Sequence, residues 1–527
     1  MSKSVVKPNR EPVLIANRGE IAIRVARTAK AMGFPTVAVF SEADRFGEHT
    51  RYCDQAYFIG GAAPKDSYLN VERVLEAAKK AGAKYIHPGY GFLSERPHFV
   101  EACEKAGITF VGPSAESMRL MGDKITARKT IADLKLPGVP GSPGAVKDGV
   151  EAARFAKEIG YPVLLKAAAG GGGKGMRRVD AEKDIVAAFE GASRESLAAF
   201  GDGSMYVEKL ILEPHHVEIQ VFGDGKGGSI HLGERECSIQ RRHQKVWEET
   251  PAPILNRHPA TREKMFEAAL KISNHVKYAG AGTLEFIVDG MGNFYFLEMN
   301  TRLQVEHPVT EWVTGADLVA MQLELATGEL TTGGRKLEIP EREGASIEVR
   351  LYAEDPQNFL PAPGPVGRIH FPTGPFVRVD TAITEAGEIS MHYDPMIAKI
   401  SVWGRTREEA IGRMRVALDE TRVEPPKRHD GSKRGSLKTN LEFLQKLVRN
   451  ADVLGGDTTT DLITRNSELT KSLSTEESET AMSTEELVAL SLHQILSESG
   501  SPVGNGEANT APTSAWQLTA RREGVRS

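Results

Sequence analysis

GTLEFIVDGMGNFYFLEMNTRLQVEHPVTE, residues 282–311, decides how this chain folds. Its apolar stretches TLEFIV and FYFLEM are strand-like and flank the turn residues DGMGN, a pattern that predicts a hairpin with Glu285 and Glu298 on one face. Acids on strands are ordinarily solvated. Here Leu284, Phe286, Phe296, Leu297 and Met299 surround them, which predicts burial around a hard cation such as Mg2+, with Asn300 as a further oxygen ligand.

The same run continues with Arg302, Gln304 and Glu306, alternate positions that an extended chain turns to one side. A guanidinium fork matches a small oxyanion, and a carboxylate beside it can take its proton. A surface Arg–Glu pair, worth under about 1 kcal/mol, would explain the two charges but not the neighbouring amides and acids.

Towards the N-terminus, YPVLLKAAAGGGGKGMRRV carries glycines 170–173 and Gly175 directly after an apolar strand, with Lys166 and Lys174 adding charge. Glycines let backbone N–H groups approach phosphate oxygens. A flexible connector is the ordinary reading of such a run, but its place between strands favours a phosphate clamp. It lacks the Lys-Ser/Thr ending of a Walker loop. MYVEKLI, HHVEIQVFGD and GSIHLGERECSIQ alternate as antiparallel strands do, so a mixed α+β nucleotide-binding unit is expected. In QRRHQK, Gln240, Arg241, Arg242, His243 and Lys245 crowd donors together; taken alone this reads as a basic loop. Cys237 beside it reads as a small buried hydrophobe rather than a reactive thiol.

Further out, VLIA, a helical NRGEIAIRVARTAKAMG and TVAVF repeat a βαβ order through YIHPG and ITFVGP, which implies a doubly wound parallel sheet. No G-x-G-x-x-G accompanies it. From about Glu341, IEVRLYAED, GRIHFP and MIAKISVWG precede the helix TREEAIGRMRVALDE. VEPPKRHDGSKRG, residues 423–435, reads as an exposed basic loop, and residues 451–527 as a tail. Within that tail Ser483 and Glu486 open one capped helix, whose Leu487 to Leu496 segment is expected to dock on a partner.

A chain of 527 residues is expected to form two to four packed units. Hydrophobic residues at 40% and charged residues at 26% are ordinary for a globular protein, and a net charge of -5 argues against a nucleic-acid partner. Three scattered cysteines fit a reducing compartment, and neither a signal peptide nor a membrane span is legible, so a cytoplasmic protein is expected.

MGDKITARK, the glycine run, VEKLILEPHHVEIQV, QRRHQK, FLEMNTRLQVEHPVTE and IEVRLYAED, in this order, resemble the biotin carboxylase family of ATP-grasp enzymes, as do VLIANRGEIAIRVARTAKAMG and HPGYGFLSE. The resemblance covers roughly Pro12 to Asn450. It implies an ATP-grasp fold of mixed α/β and α+β class: an N-terminal parallel-sheet domain over 11–120, an ATP-grasp domain over 121–335 with a lid around 140–207, and a C-terminal α+β domain over 341–450.

By the same resemblance, Lys124, Lys166, Gly172, Gly173, Glu208, Ile211, His216, Gln240 and His243 hold ATP, and Glu285, Glu298 and Asn300 hold Mg2+ or Mn2+. Lys245, Arg302, Gln304 and the Val305 backbone form the bicarbonate pocket, Glu306 is the base, and Arg350 stabilises the biotin enolate. The implied reaction runs through carboxyphosphate to carboxybiotin. Ala169 stands where many relatives have glycine, Lys174 where many have arginine, and 423–435 looks like an insertion. The family's acceptor lysine between two methionines is not found, so biotin is expected on a separate carrier protein, with carboxyltransferase subunits completing a homodimeric or larger assembly. The rival readings are another ATP-grasp ligase acting through an acyl phosphate, and a non-catalytic ATP sensor on the same fold.

Overall fold

The computed structural model describes residues 10–168, 175–242, 244–332, 337–427 and 435–471, without the side chains of residues 124, 125, 200, 331 and 332. The glycine run from 170 to 173, His243, most of the basic loop and the capped helix expected after Ser483 lie outside the described residues.

Val13–Ile15 is too short and too apolar for an exposed strand, and all three side chains are fully buried. It sits at the middle of a parallel five-stranded sheet, in the order Gln55–Gly60, Thr36–Ser41, Val13–Ile15, Tyr85–His87, Thr109–Phe110. The helix Gly19–Ala31 covers this sheet through Ile21, Ala22, Val25, Ala26 and Ala29, the i, i+4 spacing that puts them on one face.

A small antiparallel sheet, Met176–Val179, Val163–Ala167 and Met205–Lys209, packs under helices Gly149–Ile159 and Ile185–Phe200 around Val163, Leu165, Val207 and Phe189. The main sheet has eight antiparallel strands. Those beginning at Phe294, Ala279, His215, Ser229, Trp247, Ala345, Met396 and Val377 lie side by side in that order.

The stretch expected to form a third unit from about Glu341 shares the central sheet, since Ala345–Tyr352 pairs along Trp247–Thr250. Two features depart from the sequence reading. Val423 and Glu424, expected to open the exposed basic loop, instead end the strand Arg422–Glu424 paired with Arg368–His370, and Val423 is buried. Residues 451–470 do not belong to a tail: Val453, Leu462 and Leu469 join the core around Phe443 and Leu447, and Thr458 Oγ1 donates to Glu236 at 2.6 Å. Their polar composition hides three apolar anchors spaced too irregularly to read as one helical face. Among the described residues no helix is long and apolar enough to cross a membrane.

Candidate active site

The predicted hairpin is Ala279–Val288 with Phe294–Asn300, and Glu285 stands directly opposite Glu298. Asp289 accepts backbone N–H bonds from Met291 and Asn293, and Gly292 takes a φ of 81°, which closes the DGMGN turn. Register then extends the row: Arg235 lies opposite Glu218, Glu218 opposite Glu285, and Glu285 opposite Glu298. Four charged side chains thus cross four strands in one line, on the face away from the core residues Val217, Ile219, Leu284 and Phe286.

Lys245 meets this row. Its Nζ donates to Glu218 at 2.6 Å, Glu285 at 3.0 Å and Glu306 at 2.6 Å. The described part of QRRHQK is a tight ribbon, Gln240–Arg241 against Gln244–Lys245, with Arg242 and Gln244 exposed and Arg241 turned inward. Arg241 is buried beside Tyr352, Phe359 and Glu354, and Gln240 Nε2 lies 3.2 Å from His216 Nδ1. Cys237 is fully buried.

Residues 301–306 do not run extended as expected. The chain leaves the sheet after Asn300, and Glu306 stands at the first position before helix His307–Thr314 without capping it by its side chain. Convergence comes from that bend. Arg302 donates to Asn300 Oδ1 and Gln304 Oε1, each at 3.0 Å, and to Glu95 at 2.8 Å. Fully buried Glu306 accepts from Lys245 and, at 2.8 Å, from Arg350. Arg350 is held from behind by Glu248 at 2.6 Å.

The electrostatics follow from this crowding. Burial alone would raise the Glu306 carboxyl, but Lys245, Arg350 and Arg235 outweigh it and hold it well below the usual carboxylate range. Glu285 is depressed in the same way, with burial opposed by Lys245 and His216. Burial would weaken the Lys245 ammonium; Glu218, Glu285 and Glu306 instead hold its pKa well above normal.

His216, Gln240, Lys245, Glu285, Glu298, Asn300, Arg302, Gln304, Val305 and Arg350 all line one cavity of about 980 Å³, closed on its other side by Asn17, Arg18, Tyr90 and the segment 382–397. Glu298 is exposed to that cavity, whereas Glu285 and Asn300 are buried. Lys166 and Glu208 pair with each other on the small sheet, and Ile211 follows it half-buried; none of the three lines the cavity. Gly172, Gly173, His243 and the Lys124 side chain lie outside the described residues. Sequence reading passed over Glu218, Arg235, Glu248 and Glu95. Glu218 had a signal, since His216, Glu218 and Gln220 alternate with Val217, Ile219 and Val221; the other three depend on register and on a contact across 207 residues.

Three family models match the chain in succession: biotin carboxylase, N-terminal domain, over residues 9–118; carbamoyl-phosphate synthase L chain, ATP binding domain, over 123–332; and biotin carboxylase C-terminal domain over 348–465. The chain is 48% identical over 451 residues to biotin carboxylase 2 of Bacillus subtilis, covering 86% of this chain and 98% of that protein. The chain belongs to the biotin carboxylase family. Another relative in which this biotin carboxylase sequence recurs is the mitochondrial methylcrotonoyl-CoA carboxylase subunit alpha of Mus musculus, 47% identical over 453 residues, 86% of this chain and 61% of that protein. Among solved structures, the biotin carboxylase domain dimer of the Hydrogenobacter thermophilus 2-oxoglutarate carboxylase, in complex with MgADP, ADP and bicarbonate, is similar at a TM-score of 0.79 and 44% identity, over 88% of this chain and 99% of that one. The fold is that of an ATP-grasp biotin carboxylase, an ATP-dependent ligase.

Proposed function

We propose that this biotin carboxylase uses ATP to carboxylate, with bicarbonate, the biotin of a separate carrier protein, releasing ADP and phosphate in the first half-reaction of an acyl-CoA or pyruvate carboxylase. The observation that carries this reading is the meeting of Glu306, Lys245 and Arg350 at 2.6–2.8 Å, beside the cavity that Arg302 and Glu285 line.

Bicarbonate is a poor nucleophile until it loses its proton. Arg302, Lys245, Gln304 and the Val305 backbone offer donors to its oxygens, which acidifies it, and Glu306 accepts the proton. Because its cations keep Glu306 ionised, it is available as a base throughout the neutral range. The freed carbonate oxygen attacks the γ-phosphate of ATP to give carboxyphosphate and ADP. His216 and Gln240 in the cavity, with Lys166, Glu208, Ile211, Lys124, Gly172, Gly173 and His243, are assigned to ATP. Glu285, Glu298 and Asn300 form a hard oxygen donor set that fits Mg2+ or Mn2+, which supplies charge neutralisation at the phosphoryl oxygens. Carboxyphosphate breaks down to CO2 and phosphate, phosphate takes the ureido proton of biotin, and Arg350 offsets the charge on the ureido oxygen as carboxybiotin forms.

Carrier and carboxyltransferase partners, a homodimeric or larger assembly, the domain limits 11–120, 121–335 and 341–450, the last lengthened by the packed residues 451–470, and a cytoplasmic location complete the proposal. Three buried free thiols are compatible with a reducing compartment. The test is Glu306→Gln assayed for ADP release with MgATP, bicarbonate and free biotin. Biotin-dependent turnover should be abolished while ATP affinity stays near that of the parent protein; unchanged turnover defeats the assigned base.

A further inference from the structure

Behind Arg350 lies a carboxyl pair that the proposed mechanism does not use. Glu248 and Glu348 are directly opposite each other on the paired strands Trp247–Thr250 and Ala345–Tyr352, and both are fully buried. Such cross-strand neighbours have Cβ atoms about 4.5–5.5 Å apart. Glu248 Oε1 accepts from Arg350 Nε at 2.6 Å, while its Oε2 and both oxygens of Glu348 have no hydrogen-bond partner among the described residues.

The cations nearby are engaged elsewhere. Lys399 Nζ donates to Val305 O at 2.8 Å and faces Glu20 and Asp380, and Arg378 bonds Glu311 and Asp380. Ser401, opposite Glu348 on its other side, accepts from Trp312, and no hydrogen bond joins its hydroxyl to Glu348. Helix His307–Thr314, packed on this strand, adds only Glu311, already paired with Arg24, and His307, which burial and then Lys399 keep neutral. A buried carboxylate with no donor costs several kcal/mol, and two facing carboxyls relieve that cost by sharing a proton.

We propose that Glu248 is the positioning residue that aims Arg350 into the reaction cavity, and that it does so as half of a pair with Glu348 holding one proton between them. The shared proton has an electrostatic purpose. Arg350 already sits between Glu248 and Glu306, and a third negative charge at Glu348 would cancel the positive potential it must offer an oxyanion. The direction of both titrations agrees: burial, opposed by Arg350, raises Glu248 to about 7, and burial, opposed by Lys399, raises Glu348 well above its ordinary value.

This inference rests on the biotin role assigned to Arg350, so Arg350→Met is the reference variant in an assay of ADP release with and without free biotin. Glu248→Gln is expected to lower biotin-dependent turnover about 100-fold, at least ten times more than it lowers the bicarbonate-dependent ATP cleavage that proceeds without biotin. Glu348→Leu should lose about tenfold and Glu348→Gln, the neutral isostere of the protonated acid, should recover most of that. Equal loss of both activities in Glu248→Gln, or no rescue by Glu348→Gln, overturns the proposal. If Arg350→Met itself keeps full biotin carboxylation, the functional reading fails; if only Glu248→Gln is silent, the inference alone fails. Infrared difference spectra of the parent protein against Glu348→Gln at neutral pH provide a readout independent of turnover. A protonated-carboxyl C=O band must be missing in the variant, and identical spectra overturn the pair.

Discussion

Glu95 holds Arg302: its Oε2 accepts from Arg302 Nε at 2.8 Å while its Oε1 accepts from the Thr301 backbone N–H at 2.9 Å. The turn between the strand Tyr85–His87 and the helix Pro97–Lys105 of the parallel-sheet unit thereby fixes both the bend and the guanidinium that are assigned to bicarbonate. Replacing Glu95 by Gln keeps the size but weakens the charge-assisted bond, so KM for bicarbonate should rise about tenfold with KM for ATP little changed. Initial rates with varied bicarbonate measure this, and equal shifts in the two constants would count against it.

Lys245 bridges Glu218, Glu285 and Glu306 with a single ammonium. Lys245→Met takes one charge from three buried acids, leaving Arg235 beside Glu218 and Arg350 beside Glu306, and should destabilise the fold by about 3–5 kcal/mol. Denaturant unfolding reads the loss. Because the carboxylate oxygens that the substitution frees beside the cavity suit a hard cation, millimolar Mg2+ should raise the unfolding midpoint more in the variant than in the parent protein.

The acids titrate with opposite signs. Glu306, depressed in the folded state, contributes stability that is present above the unfolded carboxyl value and is lost as pH falls towards its folded value. Glu354, which burial raises to about 7 against the opposing Arg241, binds a proton more tightly folded than unfolded, so stability falls as pH rises from about 4.5 to about 7. Glu354→Gln should remove that decline, up to about 3 kcal/mol, in unfolding free energies compared at pH 5 and pH 7.5. A slope unchanged by the substitution would contradict it.

Ending the chain after Asn450 removes Val453, Leu462 and Leu469 from the core and the Thr458 bond from Glu236. At about 1.5–3 kcal/mol for each of these three buried aliphatic side chains, the loss is about 5–9 kcal/mol. It should appear as a fall in Tm and in soluble yield relative to the full chain.

Much was readable without coordinates. The hairpin carrying Glu285 and Glu298 followed from two apolar runs around DGMGN, because a turn and a period of two are local properties of the chain. The parallel order around Val13–Ile15 followed from alternating strand and helix patterns for the same reason. The long motifs shared with the biotin carboxylase family carry Glu306, Arg302 and Arg350, and a motif is read along the chain.

Residues 451–470 show where local reading ends. Their apolar side chains are few, and only the neighbouring Phe443 and Leu447 make them core. Arg235, Glu248 and Glu348 gave no sign in sequence either, since charged residues on strands are ordinarily solvated. Sequence by itself determined which elements form and which residues are chemically competent, through periodicity, turns and side-chain type. Only tertiary structure decided which charges face one another: strand register and the bend before Glu306 bring distant acids and cations within 3 Å, and burial then sets their protonation.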